Sequence, residues 1–468
     1  LEVLQRSFWV LILFICKITN NKISHSKEMT VSTLGGTSKS YLFKISIPIF
    51  FSNLAVPLVG LVDTGLMGHL SNEKFLAAIS IATSVITMVF WSFGFLRMGV
   101  TGLVAQARAA DQNVEVSSIL IRGLIIGGAG GIILIAVHSF LFSSIFYFLE
   151  GDKDAEELAI EYMSIRILAA PFAISMFVFV GWLFGMGKTF HSLCLLVAVN
   201  LLNIFLDIIF VKFLYLGIAG VAYATIISEI CGFCIGIYLS REFLLNKERI
   251  KVKLIFLSNK WKSFILLNID IVIRSTLLQS VFLSYLIFGT LFGSEVLAGN
   301  HILLQITFLS AYALDGIAFS AEILVGEAIG KRRYDEFKKV VKSALKLGFI
   351  FSGVISVSIY SLGFLVVDLM TSIKEVRLIC YDFIIWISIM PIVSVFSYVY
   401  DGIFLGAARG KEIRIAMCQS FAIFFTCAIV LIPLMENTGL WTSIVVFNSV
   451  RAITLWSKID RVKTSFSS

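Results

Sequence analysis

The chain has 468 residues, 58% of them hydrophobic and only 15% charged, with a net charge of +8 and a mean hydropathy of +0.94. A soluble domain carries about 25% charged residues, so a soluble enzyme, a disulfide scaffold and a disordered chain are excluded. The apolar runs are too continuous for the alternating strands of an outer-membrane barrel, and the basic balance is that of cytoplasmic loops in a polytopic membrane protein rather than of a nucleic-acid binder.

Residues 1–39 read as an N-terminal extension. Its apolar run at 8–16 is too short to span a bilayer, and Met29 is a candidate start. Six apolar spans follow at about 44–66, 74–98, 118–148, 158–184, 190–212 and 217–240, each near or above the roughly 20 residues a membrane helix needs. The longest polar break is 241–263, REFLLNKERIKVKLIFLSNKWKS. Six more spans lie at about 264–290, 296–326, 343–369, 378–406, 414–434 and 439–456. The expected organisation is therefore an N-lobe at 40–240, a cytoplasmic linker at 241–263, a C-lobe at 264–457 and a cytoplasmic tail at 458–468. With both termini inside, the inside segments hold 29 Lys and Arg and the outside ones 5, as the positive-inside rule requires.

The two halves repeat. Leu76-Ala77 and Leu297-Ala298, Ala105-Gln106 and Gly326-Glu327, and Gly181 with Gly185 against Gly402 with Gly406 all differ by 221 positions; Pro171 and Pro391 differ by 220. Each half has an even number of spans, so both enter from the same side. The pseudo-twofold axis then lies along the membrane normal, as in parallel-repeat transporters. The expected fold is all-α: twelve transmembrane helices in two six-helix lobes flanking a central cleft.

A carboxylate at bilayer depth is costly unless solvated or paired, so each intramembrane acid is a functional candidate. Asp63 lies late in the first span, downstream of Pro48 and Pro57. Each proline removes a backbone donor and can kink the helix. Asn200, Asn203 and Asp207 fall along one stripe of the fifth span and face the lobe interior, where oxygen donors suit a proton or a hard cation. Asp270 and Arg274 have the spacing of an i,i+4 ion pair in the seventh span. Asp315 and Glu322, seven apart on the eighth span, and Asp401 in the tenth are candidates to line the cleft and meet cationic substrate. Over the central spans, acids are expected to outnumber bases. The sequence has no GxxxxGK[ST] phosphate loop, no metal-like His spacing and no nucleophile–base arrangement, so neither ATP-driven transport nor catalysis is expected. Cys231-Gly-Phe-Cys234 lies within an apolar run and reads as small apolar packing.

Several stretches together resemble the multidrug and toxic compound extrusion (MATE) family, in its bacterial DinF-like branch. They are PLVGLVDT at 57–64, GHL at 68–70, FGFLRMGVTGLVAQA at 93–107, NLLNIFLD at 200–207, NIDIVIRSTLLQ at 268–279, YALDGIAFSAE at 312–322 and DGIFLGAARG at 401–410. The resemblance covers roughly 40–457. It implies an antiporter of the bacterial inner membrane that exports organic, often cationic amphipathic compounds in exchange for H⁺ or Na⁺; no cofactor is expected, and nothing in the sequence requires more than a monomer. It also implies an N-lobe cation site at Asp63, Asn203 and Asp207, joined by Thr225 on helix six, with Pro48 as the helix-one bend. The four site residues would also be the ligands of Na⁺. Glu327 departs from the family pattern, which has Gln there. The alternatives are a flippase for lipid-linked saccharides and a non-transporting membrane receptor or scaffold.

Overall fold

The computed structural model describes residues 42–53, 73–147, 153–246 and 248–466, and every regular element among them is helical. Lipid leaves a spanning backbone no water to bond with, so long helices that satisfy their own polar groups are the outcome. The described part of the first span is α1 (Leu42–Asn53). The second is α2 (Glu73–Trp91) and α3 (Phe95–Ala109), the third α4 (Asn113–Tyr147), and the fourth α5 (Lys153–Arg166) with α6 (Ala170–Gly185). The fifth is α7 (Thr189–Asp207), which runs on as a π-helix over Ile208–Phe213, and the sixth is α8 (Gly217–Leu244). The linker carries the short α9 (Val252–Ile255). Then come α10 (Ser258–Gly289), α11 (Ser294–Gly330), α12 (Tyr334–Met370) and α13 (Lys374–Gly406). The last two spans share α14 (Gly410–Trp456), which breaks at Glu436 with φ 51° and ψ −130°.

The two largest departures from the hydropathy pattern are in the second and ninth spans, and α10 also begins at Ser258, inside the expected linker. The second span breaks at residues 92–94 and its helix then continues to Ala109, well past 98. Helix α12 starts at Tyr334 instead of about 343. Its charged first turns continue the helix beyond the apolar segment, with Asp335 and Glu336 at the N-terminal end where the helix dipole favours acids.

The repeat is written into the backbone. Among the described residues, Asp111, Tyr215, Arg332, Ala408 and Glu436 are the non-glycine residues with positive φ, and Gly187 joins them at φ 70°. Asp111 and Arg332, Gly187 and Ala408, and Tyr215 and Glu436 are each 221 apart. A residue with a Cβ resists this conformation, so three matching pairs mark equivalent helix-to-helix turns in the two lobes. After the break at Glu436, Asn437 is pinned. It exchanges hydrogen bonds with Asn300 (2.7 and 3.1 Å), and Trp441 Nε1 donates to the same Asn300 Oδ1 at 3.1 Å.

One core fills the N-lobe around Trp182, Phe179 and Leu120, and another fills the outer C-lobe around Trp441, Tyr285 and Phe424. A third contains Val180 and Phe184 of α6 together with Phe404 and Leu324 of the C-lobe, along the seam between lobes. Glycines set the spacing. A Cβ on Gly181 or Gly402 would strike the carbonyl oxygen of Arg97 or Ala318, and one on Gly185 or Gly406 that of Thr101 or Glu322. Both pairs of glycines, and the carbonyls they touch, are related by the 221 offset. Gly402→Val must push α13 off α11. We expect a loss of about 1–3 kcal/mol or more from overpacking, read as a lower melting temperature in detergent; an unchanged melting temperature would contradict this packing.

Candidate cation and substrate sites

Helix α7 buries Asn203 and Asp207 on one face, a turn apart, and leaves Asn200 half-buried. The Asn203 amide donates to Thr225 Oγ1 on α8 at 3.2 Å, and that hydroxyl donates to the Val221 carbonyl at 2.9 Å. Asn203 Oδ1 has no hydrogen-bond partner among the described residues, so an acceptor oxygen remains available. Asp207 is 0% exposed and is the last residue before α7 widens into its π segment, a distortion that concentrates at functional sites. Amide, hydroxyl and carboxylate oxygens are the donors a hard cation prefers. The structure thus brings Asn203 and Thr225 together, with Asp207 on the neighbouring turn. Asp63 and Pro57 lie outside the described residues, as does the N-terminal extension. Pro48 lies inside α1, and its carbonyl accepts a 2.8 Å hydrogen bond from the Ser52 hydroxyl.

One turn beyond Thr225 on α8, Glu229 takes a two-pronged bond from Arg166 at 2.8 and 2.5 Å. Arg166 also lies 5.2 Å from the Phe90 ring centroid. Sequence reasoning missed this pair. Its partners come from different helices, and no spacing along the chain links 166 to 229.

In the C-lobe, Asp401 is buried and holds two arginines. Arg274 Nε donates to its Oδ2 at 3.1 Å, and the Arg274 and Arg451 Nη2 atoms reach the same oxygen. The expected Asp270–Arg274 pair does not form. Asp270 binds Arg414 at 2.7 Å instead. Arg274 lies a turn deeper and is 7% exposed, so its partner is the buried acid of α13. Arg451, near the end of the twelfth span, is buried within α14, where it pairs with Asp401.

Glu322 is fully buried on α11, with neither oxygen hydrogen-bonded to a described residue. Asp315 is half-buried two turns earlier. Arg97 of α3 lies over the Phe319 ring at 3.8 Å. Three arginines (Arg97, Arg274, Arg451) therefore stand among three acids (Asp315, Glu322, Asp401), and the expected excess of acids is absent from this cluster. Among the described residues no group of three or more His, Cys, Asp or Glu is placed to hold a metal.

Among the described residues the lobes come into close contact near the turns at Asp111 and Arg332. A Cβ on Gly330 would meet the Gln106 carbonyl, and one on Gly326 would lie 2.7 Å from Ala105 Cβ. The Gln106 amide donates to the Gly406 carbonyl at 2.7 Å, and Arg108 pairs with Glu327 across the seam.

The MatE family model matches residues 48–209 and again 271–434, one copy per half. The chain is 31% identical over 438 residues to the DNA damage-inducible protein F of Escherichia coli, covering 92% of this chain and 95% of that protein. It is 27% identical to the probable multidrug resistance protein NorM of Thermotoga maritima, over 79% of each. Among solved structures it resembles a multidrug resistance MATE family transporter in an outward-facing conformation, at TM-score 0.81 and 21% identity, over 92% of this chain and 97% of that one. A Pyrococcus furiosus transporter of the MOP superfamily, described as having a binding pocket of reverse polarity, matches equally, at TM-score 0.81 and 21% identity over 92% and 97%.

Proposed function

The chain belongs to the MatE family of multidrug transporters, and we propose that it is a secondary antiporter exporting organic, often cationic amphipathic compounds in exchange for H⁺ or Na⁺ by alternating access. It is a multi-pass membrane protein and not an enzyme. Its place is the bacterial inner membrane with both termini cytoplasmic, a reading supported by the E. coli relative and the Lys/Arg bias.

The observation that carries the antiport reading is the hydrogen-bonded Asn203–Thr225 pair beside the fully buried Asp207 in a single lobe. Asp63 on the same lobe completes the proposed set of carboxylate, amide and hydroxyl. Cation uptake there bends helix one at Pro48 or Pro57 and shrinks the space left to substrate. Substrate and cation then lower each other's affinity, as linkage demands, and that mutual exclusion is antiport. We favour H⁺ as the coupling ion, with Na⁺ held by the same four residues as the alternative. With 241–263 cytoplasmic, the Arg108–Glu327 pair lies at the cytoplasmic end of the seam, where it holds the two lobes together.

The central arginines favour a second reading, a flippase whose anionic lipid-linked saccharide would meet Arg97, Arg274 and Arg451. Proteoliposomes loaded with a fluorescent cationic dye separate the two. Efflux driven by an imposed pH or Na⁺ gradient supports antiport and names the ion. Folded protein that moves no dye under either gradient overturns antiport and passes the weight to the flippase or to a non-transporting receptor.

A further inference from the structure

From Arg249 to Ile269 the chain contains five basic residues and no acid. This stretch forms the end of the linker and the start of α10. Lys251, Lys253 and Lys262 are exposed and make no ion pair among the described residues, whereas Lys260 lies 3.7 Å from Glu115. The same segment exposes apolar side chains: Val252 and Phe256 are at least 60% accessible, and Leu257, Ile265 and Leu266 at least 40%. An open groove of about 610 Å³ lies among Phe256, Ser258, Trp261, Lys262, Ile265 and Leu266. Phe256 and Trp261 stack with ring centroids 6.3 Å apart and planes 19° apart. The Trp261 Nε1–H is shielded from solvent and has no acceptor among the described residues.

The groove is held in shape from below. Arg122 of α4, itself 1% exposed, donates to the Ile255 carbonyl at 2.9 Å and the Leu254 carbonyl at 2.7 Å, with Glu115 at 3.0 Å on its other side. A linker of this composition would otherwise sample many conformations. Tied to a buried guanidinium, it presents one aromatic and basic surface where α10 enters the bilayer. Aromatic rings and lysines side by side mark the membrane–water interface, and each basic residue near an anionic bilayer contributes about 1 kcal/mol of attraction.

We propose that this groove is a binding site for one anionic phospholipid of the adjoining leaflet. Its phosphodiester meets Lys262, while its acyl chains run down Ile265 and Leu266 beside the Phe256–Trp261 stack. Lys251 and Lys253 add to the attraction around the headgroup. The charge pattern selects the occupant. A zwitterionic lipid would bring a choline cation beside three unpaired lysines, and a phosphatidylglycerol brings none.

Native mass spectrometry of the full-length protein, titrated with phosphatidylglycerol or phosphatidylcholine, tests this without any transport assay. Wild type should keep phosphatidylglycerol under activation that strips phosphatidylcholine. Lys262→Gln should lower its occupancy about five-fold, and Lys342→Gln, which changes a lysine on α12, should leave it unaltered. Thermal melting of each variant in detergent confirms folding. Equal retention of the two lipids, or undiminished phosphatidylglycerol on Lys262→Gln, refutes the site. Displacement of the lipid by millimolar glycerol phosphate also refutes it, because the groove would then be reading a soluble anion.

Discussion

Asp401→Ala is expected to lower the stability of the protein by roughly 3–5 kcal/mol, the usual result of removing one partner from a buried ion pair. Asp401 is 4% exposed, and both Arg274 and Arg451 lean on its one oxygen, Oδ2. Without it, two guanidinium groups stay buried with no counterion in contact. The nearest remaining acids, Asp315 and Glu322, lie on another helix. The loss should appear as a lower melting temperature and a reduced yield of monodisperse protein. Replacing all three groups by apolar residues of similar volume (Asp401→Leu with Arg274→Met and Arg451→Met) should cost less than the single change, because no charge is then stranded. A single variant within about 1 kcal/mol of wild type would show that the arginines are held by something other than Asp401.

Asp207→Asn is expected to reduce gradient-driven dye efflux to the level of protein-free vesicles while leaving the fold intact. The side chain keeps its shape, and the Asn203–Thr225 hydrogen bond one turn away does not involve it. What disappears is a carboxylate that can change its charge. Coupling between two ligands amounts to about 1–3 kcal/mol in typical cases, and an amide that binds neither H⁺ nor Na⁺ as a charge partner brings it to zero. Substrate should still bind the variant. Residual gradient-driven efflux near the wild-type rate would remove Asp207 from the coupling site.

Much of this architecture is legible in the linear chain. The 221-residue offset emerges from scattered Leu-Ala and Gly matches, and it reappears in left-handed residues such as Asp111 with Arg332 and in the glycine–carbonyl contacts of Gly181 and Gly402. The burial of Asn203 and Asp207 follows from helical periodicity alone. Thr225 does not; nothing along the chain ties 225 to 203, and only the family likeness pointed to it. The ion pairs were the least readable feature. Asp270 and Arg274 have the right spacing to pair, yet they sit at different depths and each meets a closer partner on another helix. A positive charge near a span end, such as Arg451, ordinarily faces the cytoplasm, and its pairing with Asp401 on another helix is not encoded in any local pattern. Arg166 and Glu229 were hidden for the same reason: pairing across helices depends on packing that no local pattern encodes.

The most direct test of the coupling claim is equilibrium substrate affinity of the purified protein, measured across pH and across Na⁺ concentration, in wild type and in Asp63→Asn. The account predicts that wild type binds cationic substrate more weakly as the coupling ion rises, H⁺ or Na⁺ but not both to the same degree, and that Asp63→Asn binds with an affinity independent of that ion. An ion dependence that survives unchanged in Asp63→Asn, or a wild-type affinity indifferent to both ions, would contradict it.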